Sequence, residues 1–166
     1  MPILTSSALA EHLNQANRRR GVFFMPFAPH HVDRISIESQ EVLVLADQNG
    51  ARDILYAQSQ MGPAVTGFIG TQPAAVFGFV SIWRGVAEAW LVADRSARAM
   101  PMTLTRMGIK VMDIAKISMG LHRVQITVRT TDKRAHNWAL AIGFQEECVM
   151  RKYGPDGIDY FLMARY

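Results

Sequence analysis

The chain has 166 residues, of which 49% are apolar and 19% charged, and a formal net charge of +4. That length suits one domain with a core large enough to fold without staples, and the composition excludes disordered and collagen-like chains. The single cysteine, Cys148, excludes an intramolecular disulfide and a multi-cysteine zinc site, and no apolar run reaches the ~18 residues of a membrane span.

Residues 5–18 read as an amphipathic helix with Leu9, Leu13 and Ala16 on one face and Ser6 or Ser7 as its cap. Arg18, Arg19 and Arg20 are expected in its last turn, where cations suit the helix dipole. This basic cluster follows the apolar stretch instead of preceding it, which is not the order of a secretory leader. A cytoplasmic location is the expectation. Val22 to Met25 is a short strand stopped by Pro26 and Pro29, and Pro29 to Ser36 starts a helix. Residues 38–46 are ambiguous between helix and strand. Gly50 to Gln60 is a helix that Gly62-Pro63 ends.

Three β-rich runs follow, Ala64 to Ile69, Ala74 to Trp83 and Val86 to Ala93, broken at Gly70-Thr71-Gln72-Pro73 and Trp83-Arg84-Gly85. They predict an antiparallel meander. Over 102–117, Leu104, Met107, Gly108, Val111, Ile114 and Ala115 repeat at helical spacing. Arg123 to Arg129 alternates strictly, with Val124, Ile126 and Val128 on one side. A second helix runs from Asp132 to Ile142. It buries Ala135, Trp138, Ala139 and Ile142, starts on Thr131 or Asp132 as cap, and ends at Gly143. Strands at 146–152 and 159–165 are joined by Tyr153-Gly154-Pro155-Asp156-Gly157.

The order strand, long helix, strand requires a parallel crossover. Val86–Ala93 and Arg123–Arg129 are therefore expected to lie parallel within an otherwise antiparallel sheet. A cleft is expected where they diverge, at the N-terminus of the crossover helix, a place suited to anions. Charge follows a similar division. Residues 1–83 hold five Arg and no Lys against six acids, whereas residues 84–166 hold thirteen Lys or Arg against eight acids. The basic half suits nucleic acid or a phosphate-bearing small molecule, or is a solvated face.

The stretch 122–165, with Gly143-Phe144, Glu146-Glu147, Arg151-Lys152-Tyr153 and the closing hairpin, resembles the C-terminal half of the GCN5-related N-acetyltransferases. The element order extends the resemblance to residues 22–166. Trp83-Arg84-Gly85-Val86-Ala87-Glu88-Ala89-Trp90 and Tyr153-Gly154-Pro155-Asp156-Gly157 resemble phage and prophage proteins of this fold, some related to internal virion proteins. The resemblance implies an α/β (α+β) fold: a mixed, mostly antiparallel sheet with one parallel crossover and helices on both faces. It makes residues 1–166 one domain with an extra N-terminal helix at 5–18.

The resemblance also implies acetyl-CoA or another acyl-CoA as donor and a small-molecule or protein amine as acceptor, joined by direct attack. Cofactor contacts fall to Leu91, Val92, Ala93, Arg95, Arg98, Thr103 and Asp132. Trp83 and Trp90 are candidates for the acceptor pocket, and Glu88 is the candidate general base. Glu88 could instead pair with a basic residue of a neighbouring strand, and Trp90 could fill the core. His136 and Asn137 are expected to be exposed. Tyr153 is a candidate acid or packs in the hairpin, and Cys148, beside Glu146 and Glu147, is disfavoured as a nucleophile. No metal is implied.

Two departures from the family pattern stand out. The stretch Asp94 to Met102 has none of the family's loop glycines, and Ala139 occupies the usual tyrosine position, with Asp132 where Asn is common. Two alternatives stay open: a non-enzymatic structural or interaction protein of a phage particle or its host-takeover apparatus, and a nucleic-acid-directed protein. A homodimer or a phage protein partner fits the former.

Overall fold

The computed structural model describes residues 4–37 and 48–166. The ambiguous stretch at 38–46 lies outside the described residues. Helix α1 spans Ser6–Ala16, β1 Val22–Pro26, and a 3-10 turn Pro29–Arg34. Then come α2 (Gln48–Ser59), β2 (Ala64–Ile69), β3 (Gln72–Trp83), β4 (Val86–Ala93), the short α3 (Arg95–Arg98) and the long α4 (Pro101–Ser118). The chain ends with β5 (Arg123–Arg129), α5 (Lys133–Ala141), β6 (Gln145–Met150) and β7 (Tyr160–Arg165).

These strands form one seven-stranded sheet in the order β1-β2-β3-β4-β5-β7-β6. Every neighbouring pair is antiparallel except β4 and β5, which run parallel. The parallel pair has only three register partners, Val86 with Arg123, Ala87 with Val124 and Glu88 with Gln125. Beyond them the two strands part. Mixed α/β architecture with a single parallel crossover is thus the fold.

Helices cover the two sheet faces unequally. On one face Leu9 and Leu13 of α1, Val111, Met112 and Ala115 of α4, and Ala139 of α5 pack on Val65, Phe79, Ala87, Val124 and Met163. On the other, Val32 and Ile35 with Ala51 and Leu55 of α2 pack on Val76 and Val92. Side chains alternate along a strand, so Glu88 and Trp90 share the α2 face with Val92, and Gln125, Thr127 and Arg129 share it on β5.

Several local expectations need correction. Thr5 caps α1, its hydroxyl accepting from the Ala8 N–H at 3.2 Å. Ser6 instead accepts from the Ala64 N–H at 3.0 Å, tying the helix to β2. The helix stops at Ala16, so Arg18 to Arg20 do not occupy its last turn. Asn17 ends it: its side-chain amide donates to the carbonyls of Arg19 and Val22, and its Oδ1 accepts from the Arg19 N–H. That local network competes with helical bonding and turns the chain into β1. The helix expected over 29–36 is a 3-10 turn of six residues. β3 begins at Gln72, so Pro73 lies within a strand, opposite Phe68 at a register shift where a missing N–H is tolerated. In α5 the expected Asp132 cap holds, accepting from Ala135 N–H at 2.9 Å. Gly143 ends that helix at φ +96°, a conformation natural to glycine.

Candidate functional site

Where β4 and β5 part, a cavity of about 680 Å³ opens through the sheet. Residues 88–93 of β4 and 126–129 of β5 form its walls, with Met107 of α4 and Trp138 of α5 on one side and Leu55 of α2 on the other. The geometry follows from the parallel pairing: strands that twist relative to one another and share only three partners diverge, and the crossover helix bridges the gap. From Ala89 onward β4 has no partner on its β5 side. Its backbone groups there are available to a ligand.

Glu88 stands at the branch point, half-buried, in the last paired position of β4. The Gln125 side-chain amide donates to its Oε2 at 3.3 Å. Its neighbour across β5 is thus a neutral amide and not the basic residue that the alternative reading called for. Trp90 lines the cavity and also packs edge-on against Phe27, with ring centroids 6.5 Å apart. It therefore belongs to the second core as well as to the cavity wall. The close approach of its ring explains Gly78: a Cβ there would lie 2.7 Å from Trp90 Cζ2.

Leu91, Val92, Ala93, Arg98, Thr103 and Asp132, to which the resemblance assigned cofactor contacts, all line the cavity. Arg95 and Trp83 do not. Arg95 is exposed on α3, and Trp83 is 72% exposed at the far end of β3. Trp83 is three residues beyond Val80, the β3 partner of Glu88, and its register is broken by a bulge after Ser81.

The loop without glycine takes a definite shape. Asp94 caps α3, accepting from the Ser96 N–H at 2.8 Å and its hydroxyl at 2.7 Å, and also from the Ser36 N–H. Burial pushes the Asp94 carboxyl up, but the Ser96 and Ser36 hydrogen bonds and the Arg98 charge carry it below the usual range. Arg98 then lies in the cavity lining, as does Thr103 in the first turn of α4.

The contact that sequence reasoning missed is that of Arg19, which lies outside the cavity lining but reaches it. Its Nη1 donates to Thr103 Oγ1 at 3.1 Å, bridging 84 positions from the turn after α1 to the start of α4. Only the triple arginine was visible locally, and nothing in its surroundings signals that partner. Arg129, Thr131 and Arg134 add further polar groups to the lining. Arg129 is clamped by Asp156 of the β6–β7 hairpin at 2.6 Å, which raises its pKa.

Two indole N–H groups of the lining, Trp90 Nε1 and Trp138 Nε1, are buried with no hydrogen-bond partner among the described residues. Buried donors are ordinarily satisfied, which makes these two exceptions. Ala139, by contrast, is 1% exposed and brings only a methyl group to the cavity lining, with no proton to give. Tyr153 packs against Tyr160 at 5.3 Å and does not line the cavity. His136, expected to be exposed, is half-buried, bonded through Nε2 to Glu146, with its ring tilted against Phe161 at 4.9 Å. Cys148 is exposed on β6, outside the cavity lining. Among the described residues no cluster of His, Cys, Asp or Glu could hold a metal ion, and no helix is long and apolar enough to cross a membrane.

No family model matches the chain, and no curated protein matches it by sequence. Solved structures do match. Ard1 from Thermoplasma volcanium is 15% identical, with a TM-score of 0.72 over 87% of this chain and 97% of that one. A GNAT-family acetyltransferase from Bacillus anthracis is 13% identical, with a TM-score of 0.68 over 89% and 95%. The yncA protein from Salmonella typhimurium, solved with its cofactor acetyl-CoA, is 12% identical, with a TM-score of 0.63 over 87% and 93%. The chain therefore has the fold of the GCN5-related N-acetyltransferases.

Proposed function

We propose that the protein transfers an acyl group from acyl-CoA to an amine, with Glu88 as general base. The observation that carries this reading is the parting of β4 and β5 at Glu88, which opens a cavity with a carboxylate at its branch point and cationic residues at its α4 end.

The residues fit such a donor. Arg98 and Thr103 of the lining, with Arg19 bonded to the Thr103 hydroxyl, would hold a pyrophosphate where the family loop uses glycine backbone. The indole N–H groups of Trp90 and Trp138, unpartnered among the described residues, would donate hydrogen bonds to carbonyl oxygens of such a donor. Bound acyl-CoA supplies the thioester that an amine attacks. Glu88 removes the proton that the amine must shed, directly or through one water. Apolar walls from Leu91, Met107 and Trp138 keep bulk water from competing as a nucleophile.

A thermal melt tests the reading. At a hundred times its dissociation constant a ligand adds about 2.7 kcal/mol, which for a chain of this size is roughly 5–10 °C. Acetyl-CoA is expected to raise the midpoint by that much in the wild type and not in Arg98→Glu. With an amine acceptor in hand, Glu88→Gln is expected to lower kcat by about 10²–10⁴ while leaving the melt shift intact. A cooperative melt that millimolar acetyl-CoA leaves unmoved removes the enzyme reading and points to a binding or structural role.

A further inference from the structure

Five polar side chains form a continuous hydrogen-bonded row across the sheet face that carries Glu88. Gln125 Nε2 donates to Glu88 Oε2 at 3.3 Å, and Arg123 Nε donates to Gln125 Oε1 at 3.3 Å. Arg123 then grips Glu147 with both terminal nitrogens, Nη1 to Oε1 at 2.7 Å and Nη2 to Oε2 at 2.5 Å. The Tyr166 hydroxyl donates to the same Glu147 Oε1, and its ring lies 5.8 Å from the Arg123 guanidinium. The row runs from β4 through β5 to β6 and the residue after β7.

Its direction is fixed by chemistry. A guanidinium only donates, so Gln125 must turn its oxygen toward Arg123. What remains for Glu88 is the NH₂ group, which also only donates. The Glu88 oxygen facing it must accept. The two-point grip of Glu147 fixes the plane of the guanidinium, and the Arg123 and Tyr166 bonds hold the Glu147 carboxyl down at about pH 2. The far end of the row therefore stays ionised at any working pH.

We infer that Gln125 is the positioning residue of Glu88, its orientation set by the Arg123–Glu147 clamp, so that Oε2 is held as an acceptor and Oε1 is the oxygen that takes the proton. This rests on the reading of Glu88 as the base. Around Glu88, Val80 and Gln125 flank it on β3 and β5. The charged residues sharing its cavity are Arg98, Arg129, Asp132 and Arg134.

The test uses Gln125→Met, which keeps length and removes the amide. Losing that hydrogen bond is expected to lower kcat by about tenfold. KM for acetyl-CoA is expected to be unchanged. Arg123→Lys, which frees the Gln125 amide to rotate, is expected to lower kcat in the same way, again with KM unchanged. A second readout needs no activity. In the side-chain amide spectrum of the unliganded protein, the Gln125 NH₂ pair, assigned by its loss in Gln125→Met, is expected to move in Glu88→Gln. A pair indifferent to Glu88→Gln in an active protein overturns the inference and leaves the proposed function standing. A pair that tracks Glu88 in a protein that neither binds nor uses acyl-CoA overturns the catalytic meaning of the row together with that function.

Discussion

Glu88 and His31 are both held by neutral partners, and they differ in consequence. Glu88 receives an amide hydrogen bond from Gln125 and keeps contact with the cavity. His31 is 7% exposed, with Nδ1 accepting from the Ala28 N–H at 3.2 Å and lying 2.8 Å from the fully buried Thr66 hydroxyl. Burial, then the charges of His30 and Arg34, lower the His31 pKa below its ordinary 6.5. The imidazole is therefore neutral in the folded protein when it already binds protons in the unfolded one. Stability carried by that difference is complete above pH 6.5 and is lost as pH falls from 6.5 toward the lowered folded value. Urea unfolding at pH 7.5 and pH 5 is expected to show a loss of stability on acidification, and His31→Gln is expected to flatten it. An equal loss in both proteins would place the effect elsewhere.

At the scale of elements, α1 is the clearest addition to the sheet. Leu9 and Leu13 are wholly buried between β1, β2 and α4. Leu13→Ala is expected to cost about 2–5 kcal/mol, read by urea denaturation. This helix was legible because its apolar positions recur at helical spacing. β5 was legible to the residue because Val124, Ile126 and Val128 alternate without a break. Its parallel partnership followed from connectivity, since a strand joined to another by a long helix leaves few other arrangements. Helix ends were read less well. Thr5 captured the cap that Ser6 or Ser7 was expected to supply because Ser6 is engaged by β2, a tertiary contact. The site was legible where it is local: Glu88, Leu91 to Ala93, Arg98 and Thr103 lie within 16 residues and line one cavity. Arg19 with Thr103, and Arg123 with Glu147, join residues 84 and 24 positions apart, and no local pattern encodes such pairs.

For the whole molecule, the seven strands share one sheet, and the larger core reaches from α1 and β1 at one edge to Met163 near the other. Calorimetry is expected to show one cooperative transition with agreeing calorimetric and van't Hoff enthalpies; two resolved peaks would mean that the sheet melts in parts. The question has substance because the sheet is not uniformly knit. β1 to β4 are laced by long registers, as are β5, β7 and β6, yet only three residue pairs join the two sets. Ser6 lies with the first set and Arg165 with the second. A pull on the two ends of the described chain is therefore borne by that narrow joint and by the helix packing that straddles it. In mechanical terms the molecule is two plates riveted along a short line, and under tension the line gives before either plate unravels.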